Sequence, residues 1–519
     1  MLFDTAQIVR DEMRAASVDV SAGQSAAAVD VETSRLSDAA KALARSLRGA
    51  SYSPAIVAGV VRVSEWLVIF ATGMLVYWSY LGLEFGFSLR YTMMALGVST
   101  AAIILFQILG LYAPHAMRSV GHQGLRLVAG WTTLFAAMLT FGFFTNLGDH
   151  VSRLWVGLWF SLGLLALMMF RSILVVLINR WMAQGRLMRH AVLVGGGEHT
   201  EKLILALRAS STNDLNLLGF FDDRGEDRSE ESCEGLQKLG TVDDLVEFAR
   251  IAPLDLVIVT IPVTAESRVL NMVRKLWVLP VDVRLSAHTT KLRFRPRAYS
   301  YIGNVPFFAV FDRPLADWDH VAKAALDRVL GGLMLIALSP LLLAVAVAVK
   351  LDSKGPVLFR QKRFGFNNEP IEIFKFRSMY TDRCDPNAKE VVTRNDPRVT
   401  RVGAFIRRTS LDELPQLFNV VFKGDLSLVG PRPHAVRGHL SGTPFDKVID
   451  GYFARHRVKP GMSGWAQVNG WRGEMDTTEK IERRVEHDLY YIENWSILFD
   501  LQIIAMTPLA LLTQRENAY

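Results

Sequence analysis

Four apolar stretches, at about 56–80, 91–112, 125–147 and 153–178, decide most of what this chain can become. Each is near the ~20 residues that carry a helix across the hydrocarbon of a bilayer. In lipid the backbone must satisfy its own hydrogen bonds, so stretches of this kind are helices. The links at 81–90 and 148–152 are short, which makes neighbouring spans antiparallel. Arg35, Lys41, Arg45 and Arg48 precede the first span, Arg118 and Arg126 accompany the second-to-third link, and Arg180, Arg186 and Arg189 follow the fourth. By the positive-inside rule these regions are cytoplasmic, and four helices within 51–182 return the chain to that side. Arg62 and Glu65 read as an interfacial pair, with a buried functional role as the alternative. Residues 1–50, rich in Ala, Ser, Asp and Arg and without an apolar signal core, are expected to form a disordered or loosely helical cytoplasmic tail.

A hydrophobic content of 50% and a mean hydropathy of +0.21 agree with membrane segments. The 58 basic residues outnumber the 51 acidic ones by seven, which suits anionic lipid or phosphorylated substrates. No nucleic-acid-binding motif appears, so nucleic acid is not an expected partner. Cys233 and Cys384 are far apart and imply neither a disulfide framework nor a zinc site.

A soluble α/β region is expected over 187–300. His190–Val194 reads as a buried strand running into Gly195-Gly196-Gly197, the first half of a dinucleotide fingerprint. Thr200 stands at the third glycine position. Further strands are expected at Leu217–Phe221, ending in Asp222-Asp223, and at Leu254–Ile261. The broken fingerprint makes this Rossmann-like domain a regulatory or structural module rather than an NAD site.

The last domain, 320–519, opens with an apolar run over 324–350 that is interrupted by Ser339-Pro340. Its length suits a fifth span, but Lys323 and Arg328 before it and Lys350, Lys354, Arg360, Lys362 and Arg363 after it make both flanks basic. Pro340 removes one helical hydrogen bond and Ser339 can satisfy a freed backbone group. A re-entrant helix that leaves on the side it entered is therefore expected, an ordinary kinked span being the alternative.

The chemistry concentrates in Arg407–Leu417, with Lys423 and Pro431-Arg432-Pro433 downstream. Pro415 belongs near the start of a helix, which puts Asp412 and Glu413 beside unpaired backbone N–H groups. Ser410 and Glu413 also have the spacing of a capping box, the bland alternative. Arg408, Lys423 and Arg432 around a helix start make a phosphate site, where a carboxylate can act as a nucleophile at phosphorus. Alternation over Ile371–Met379 puts Lys375 and Arg377 on one strand face. The Gly- and Trp-rich segment 458–473 brings backbone donors close to a ligand.

Ser410–Leu417, Leu428–Pro433 and Lys459–Trp465, in that order, resemble the bacterial sugar transferases, the polyprenyl-phosphate glycosyl-1-phosphate transferases. The segment 467–474 resembles their glucose-transferring members. The resemblance implies a multi-domain membrane protein: a four-helix transmembrane bundle, a Rossmann-like α/β domain and an α/β catalytic domain whose Ser339-Pro340 break makes the re-entrant helix. It implies transfer of hexose-1-phosphate from a UDP-hexose to undecaprenyl phosphate, with release of UMP, at the bacterial inner membrane in exopolysaccharide or capsule synthesis. Asp412 would be the nucleophile and a ligand of Mg²⁺, with Glu413 in support. Lys375, Arg377, Arg408, Lys423, Arg432, Gln467 and Asn469 would contact substrate. Membrane lipid, further copies of the chain and other polysaccharide-assembly proteins are the expected partners. The competing readings are a membrane-bound nucleotide-sugar dehydratase or epimerase and a non-enzymatic scaffold. The former needs a Tyr with a Lys four residues on, and the chain has none.

Overall fold

The computed structural model describes residues 36–47, 52–113, 116–118, 120–145, 151–210, 215–224, 232–262, 265–287, 300–302, 305–381, 396–433, 439–440, 443–444, 452–473 and 477–513. Helix α1 (Asp38–Ser46) corrects the expected loose tail over its own length. Ser37 caps it and donates to Leu239 O at 3.0 Å. Leu36, Ala40 and Ala44, spaced by four, are buried in the core of the α/β domain. A face of that periodicity orders once an apolar surface receives it. Cys384 and the rest of 1–50 lie outside the described residues, Leu47 apart.

Helices α2 (Pro54–Tyr77), α3 (Leu89–Ile108), α4 (Val120–Phe144) and α5 (Arg153–Ala183) cover the four apolar stretches. α2 packs against α3 and α5, and α4 packs against the same two. Trp155 and Trp159 on α5 are fully buried and donate their indole N–H to Gly73 O at 3.0 Å and Ile69 O at 3.1 Å on α2. The expected Arg62–Glu65 interfacial pair is corrected. Glu65 is 0% exposed and takes two hydrogen bonds from Arg171 and one from Tyr112 Oη at 2.7 Å. Arg62 lies over the Tyr112 ring instead, with Cζ 5.2 Å from the centroid. Residues three apart share a helix face, but α5 offered Glu65 a guanidinium that leaves no charge unpaired in a dry bundle.

The α/β domain comprises β1 (Arg189–Val194), α6 (Glu198–Ala209), β2 (Leu215–Phe221), β3 (Ser232–Cys233), β4 (Leu236–Gly240), α7 (Val242–Ile251), β5 (Leu256–Val259), α8 (Glu266–Leu276), β6 (Asp282–Ser286), β7 (Ser300–Ile302) and β8 (Val305–Phe311). Its eight-stranded sheet runs β3-β4-β2-β1-β5-β6-β8-β7. The pairings from β4 through β6 are parallel, and β3, β8 and β7 add antiparallel edges. All four residues of β5 are buried, as a strand covered on both faces requires. Where the fingerprint has its third glycine, buried Thr200 shares a hydrogen bond with Thr260 and donates to Gly195 O at 2.9 Å, tying α6 to the sheet.

Helix α9 (Asp317–Asp352) runs unbroken through Pro340 for 36 residues, with Ser339 Oγ donating to Ile336 O at 2.8 Å. It is the fifth helix long and apolar enough to cross a membrane among the described residues. Trp318 at its start fits against Gly59 of α2 and donates to Ala55 O at 3.1 Å. Both ends of α9 meet the last domain. Asp327 accepts from Ser427 Oγ and Leu428 N, each at 3.0 Å, and Asp352 accepts from Val402 N at 3.0 Å. That domain consists of the hairpin β9 (Leu358–Phe364) and β10 (Pro370–Phe376), α10 (Arg401–Arg408), an irregular helical run over 411–423, β11 (Ser427–Val429) paired in parallel with Gly461–Ser463, α11 (Thr478–Glu493) and α12 (Ile497–Thr513).

Candidate active site

The hairpin register sets the floor of the site. Lys375 pairs with Phe359 and Ile371 with Arg363, so Lys375 and Arg363 share one face. The free edge of β10 is taken by Asn419, which accepts from Phe374 N at 2.9 Å and donates to Glu372 O at 2.7 Å. This fixes the helical run 411–423 against the strand. Upstream, α10 ends on Ser410 at φ +59, and the left-handed residue redirects the chain so that Leu411–Glu413 form a tight turn. Pro415 follows at φ −61 inside the same run, its missing N–H harmless there.

The two acids are treated differently. Glu413 accepts from Lys375 Nζ at 2.9 Å and from Arg432 at 2.7 Å, both on Oε1. Burial pushes its carboxyl up, but Arg432, Lys375 and Arg472 outweigh that and hold it well below the usual range. Asp412 is half-buried, and its carboxylate accepts no hydrogen bond among the described residues. Burial and the neighbouring Glu413 push it up to about 6, against Lys375, Arg407 and Arg432. One acid is thus a fixed counter-ion, and the other is a free carboxylate poised between its charge states.

Three cations that the sequence reading did not single out complete the pocket. Arg472 donates to Ser410 Oγ and faces both acids. Arg407, not its neighbour, faces Asp412. Arg363 donates to Gln361 Oε1 at 2.8 Å, while its buried Nε has no partner. Burial and Arg432 lower its guanidinium to about 10. The hairpin register was the one signal that could have found Arg363.

The other expected residues are placed as follows. Arg377 is 2% exposed and donates to Lys354 O and Ser353 O, both at 2.7 Å, and to Val349 O at 3.3 Å. It closes the C-terminal end of α9, and the alternation that would pair it with Lys375 stops where β10 ends at Phe376. Arg408 is exposed on α10, away from the acids. Lys423 sits 4.4 Å from the Phe374 ring, on the face of β10 opposite Lys375. Asn469 is exposed and closes the short helix Trp465–Val468 by donating to Trp465 O at 2.8 Å. Gln467 lies half-buried on that helix. The capping box does not form: Ser410 makes no cap hydrogen bond, and Glu413 is spent on Lys375 and Arg432.

Arg432 is itself held in place. Lys323 on α9 donates to Val429 O at 3.0 Å and to fully buried Asp500 on α12 at 2.6 Å. Tyr491 Oη donates to Asp500 at 2.8 Å and lies 3.1 Å from the same carbonyl. Arg455, 0% exposed, donates to Arg432 O at 2.9 Å and to Asp488 at 2.5 Å. Lys323 of α9, α12 and the arginine loop are therefore one braced unit.

Among the described residues no group of three or more His, Cys, Asp or Glu is placed to hold a metal. The donor set that does fit is smaller: the Asp412 carboxylate, unbonded among the described residues, in a pocket lined by cations, since Mg²⁺ takes one or two carboxylates plus substrate phosphates.

Comparison with known proteins gives two family matches: bacterial sugar transferase over residues 318–514, and CoA-binding domain over residues 107–287. At the glycine turn of the α/β domain the space beside Gly196 is taken by the chain's own side chains. Arg224 pairs with Asp222 at 2.8 Å, and a Cβ on Gly196 would stand 2.8 Å from Asp222 Oδ2 and 2.9 Å from the Arg224 guanidinium. The glycine makes room for the chain's own ion pair. The UDP-glucose:undecaprenyl-phosphate glucose-1-phosphate transferase of Xanthomonas campestris pv. campestris is 34% identical over 88% of this chain and 94% of its own length. Its Escherichia coli K12 counterpart is 34% identical over 88% and 96%. The undecaprenyl-phosphate glucose phosphotransferase of Komagataeibacter xylinus reaches 42% over 62% and 59%. With its motifs in order and relatives matched over nearly their full length, the chain belongs to the bacterial sugar transferase family.

Proposed function

We propose that the chain transfers a hexose-1-phosphate, glucose-1-phosphate in first place, from a UDP-hexose to undecaprenyl phosphate and releases UMP. The observation that carries this reading is the unequal acid pair: Glu413 neutralised by Lys375 and Arg432, Asp412 unbonded in a pocket of surplus positive charge. Such a pocket suits a diphosphate, and an unbonded carboxylate in it suits attack at phosphorus. Asp412 Oδ forms a bond to the β-phosphorus while the bond to the UMP oxygen breaks, giving an aspartyl-phosphosugar and UMP. An oxygen of the lipid phosphate then bonds to the same phosphorus, the aspartyl oxygen leaves, and undecaprenyl-diphosphate-hexose is released. Arg432, Arg472 and Arg363 hold phosphate oxygens, and Lys375 keeps Glu413 from turning against Asp412. Asp412 would hold Mg²⁺, which would supply charge neutralisation to the diphosphate. The glucose-transferring relatives support glucose and undecaprenyl phosphate as substrates.

The same reading makes α9 re-entrant, which the basic flanks on both sides of Ser339-Pro340 support. The four preceding helices form the transmembrane bundle of an inner-membrane protein, with the α/β and catalytic domains cytoplasmic. The reaction is then the first membrane step of exopolysaccharide or capsule synthesis, where further copies of the chain and other assembly proteins are its partners. The test is Asp412→Asn. UMP release should fall by orders of magnitude with UDP-glucose binding retained, and the phosphosugar adduct formed before acceptor is added should vanish. Near-normal turnover would refute the mechanism.

A further inference from the structure

We propose that Asn367 and Asn368, at the tip of the β9–β10 hairpin, are positioning residues through which the α/β domain sets the geometry of the catalytic pocket. The tip is a two-residue turn, closed by Gly365 N donating to Glu369 O at 2.7 Å and Glu369 N to Phe366 O at 3.0 Å. Both central residues have positive φ, Asn367 at +52 and Asn368 at +62. A turn of this kind favours Asn-Gly, since glycine carries no penalty at the second place. This chain keeps a side chain at both places, and each side chain is used.

Asn367 is 8% exposed and its Nδ2 donates to Ala249 O at 3.0 Å. Ala249 lies in the last turn of α7 in the α/β domain, where carbonyls lose their intrahelical partners. Asn368 Oδ1 accepts from Nδ1 of buried His456, which also packs its ring 5.8 Å from Phe364 of β9. The adjoining residue, Arg455, grips Arg432 O. Arg363 lies next to this tip, whereas Lys375, paired with Phe359, lies toward the open end of the hairpin. The tip is thus bolted to α7 on one side and to the arginine loop on the other, and Arg363 and Arg432 are the pocket cations nearest these contacts.

The inference rests on the transfer reading, so its test has one arm that needs no activity. Asn367→Gly, Asn368→Gly and the double variant keep the positive φ and remove only the side-chain contacts. Amide hydrogen exchange over 358–376 in the full-length protein should accelerate in the variants. The burst of UMP formed before acceptor is added should show kcat/KM lowered by about 3- to 10-fold, the effect of one or two lost hydrogen bonds. The loss should fall on the burst rate more than on UDP-glucose binding, as expected when phosphate-holding groups are displaced rather than removed. Unchanged exchange together with an unchanged burst rate in the double variant would overturn the proposal. If the wild-type protein gave no burst, the transfer reading would fall, and the exchange arm alone would still decide this one.

Discussion

Replacing Glu413 by Gln separates the roles of the adjacent acids most sharply. Asp412 is pushed up to about 6 by burial and by Glu413. A carboxyl whose pKa is raised is protonated, and useless as a nucleophile, as the pH falls through that value. At pH 5 about a tenth of the wild-type molecules would carry an ionised Asp412, and the rate should fall accordingly. Glu413→Gln removes the like charge and leaves Lys375 and Arg432 without a counter-ion, so Asp412 becomes easier to ionise. A drop of one unit would raise the ionised fraction at pH 5 to about one half. The acid limb therefore moves down even as the plateau rate falls through loss of the fixed cations. The assay is the burst of UMP from UDP-glucose without lipid, because the acceptor's phosphomonoester itself titrates near pH 6. A wild-type burst that is flat from pH 5 to 8, or an acid limb that rises in the variant, would refute the coupling.

Other substitutions follow from the same contacts. Arg377→Met should destabilise by about 3–5 kcal/mol, seen as a lower Tm in detergent, since a buried guanidinium that bonds Val349 O of α9 and Ser353 O and Lys354 O just beyond it is lost; a KM effect at unchanged Tm would restore the substrate role. Asp500→Asn should cost about 2–4 kcal/mol, because Lys323 loses its closest charge partner in a buried site, and the transfer rate should fall with it. Glu65→Gln should cut the folded yield sharply by stranding Arg171, and adding Arg171→Met should recover part of it. No gain in the double variant would mean that the pair does more than balance charge.

What the sequence made legible follows from how local each signal is. The apolar stretches forecast α2 to α5 to within a few residues, because bilayer-length hydropathy needs no tertiary partner. Gly195–Gly197 and the broken third glycine forecast a strand-turn-helix without telling that Asp222 and Arg224 fill the turn. Arg377 was misplaced for a physical reason: alternation holds only inside a strand, and β10 stops one residue earlier. Glu65 was read as half of an interfacial pair, yet it is fully buried and bonded to Arg171, 106 positions away; Asp500 is fully buried too, bonded to Lys323, 177 positions away. Partners that distant leave no periodic trace in either segment.

The division of labour between Asp412 and Glu413 was illegible for the opposite reason, since the two are adjacent. Consecutive residues on a helical turn point about 100° apart, so neighbours in sequence never share surroundings. Glu413 faces the floor of the hairpin, where Lys375 arrives from β10 and Arg432 from the loop after β11. Asp412 faces the end of α10, where Arg407 is near but no donor bonds it. The left-handed Ser410 fixes the direction of the turn, and Arg472 holds Ser410 from a segment 62 residues on. An acid pair in sequence thus becomes one counter-ion and one free carboxylate only when four separate segments close around it. That closure depends on the braces behind Arg432 as much as on the acids themselves.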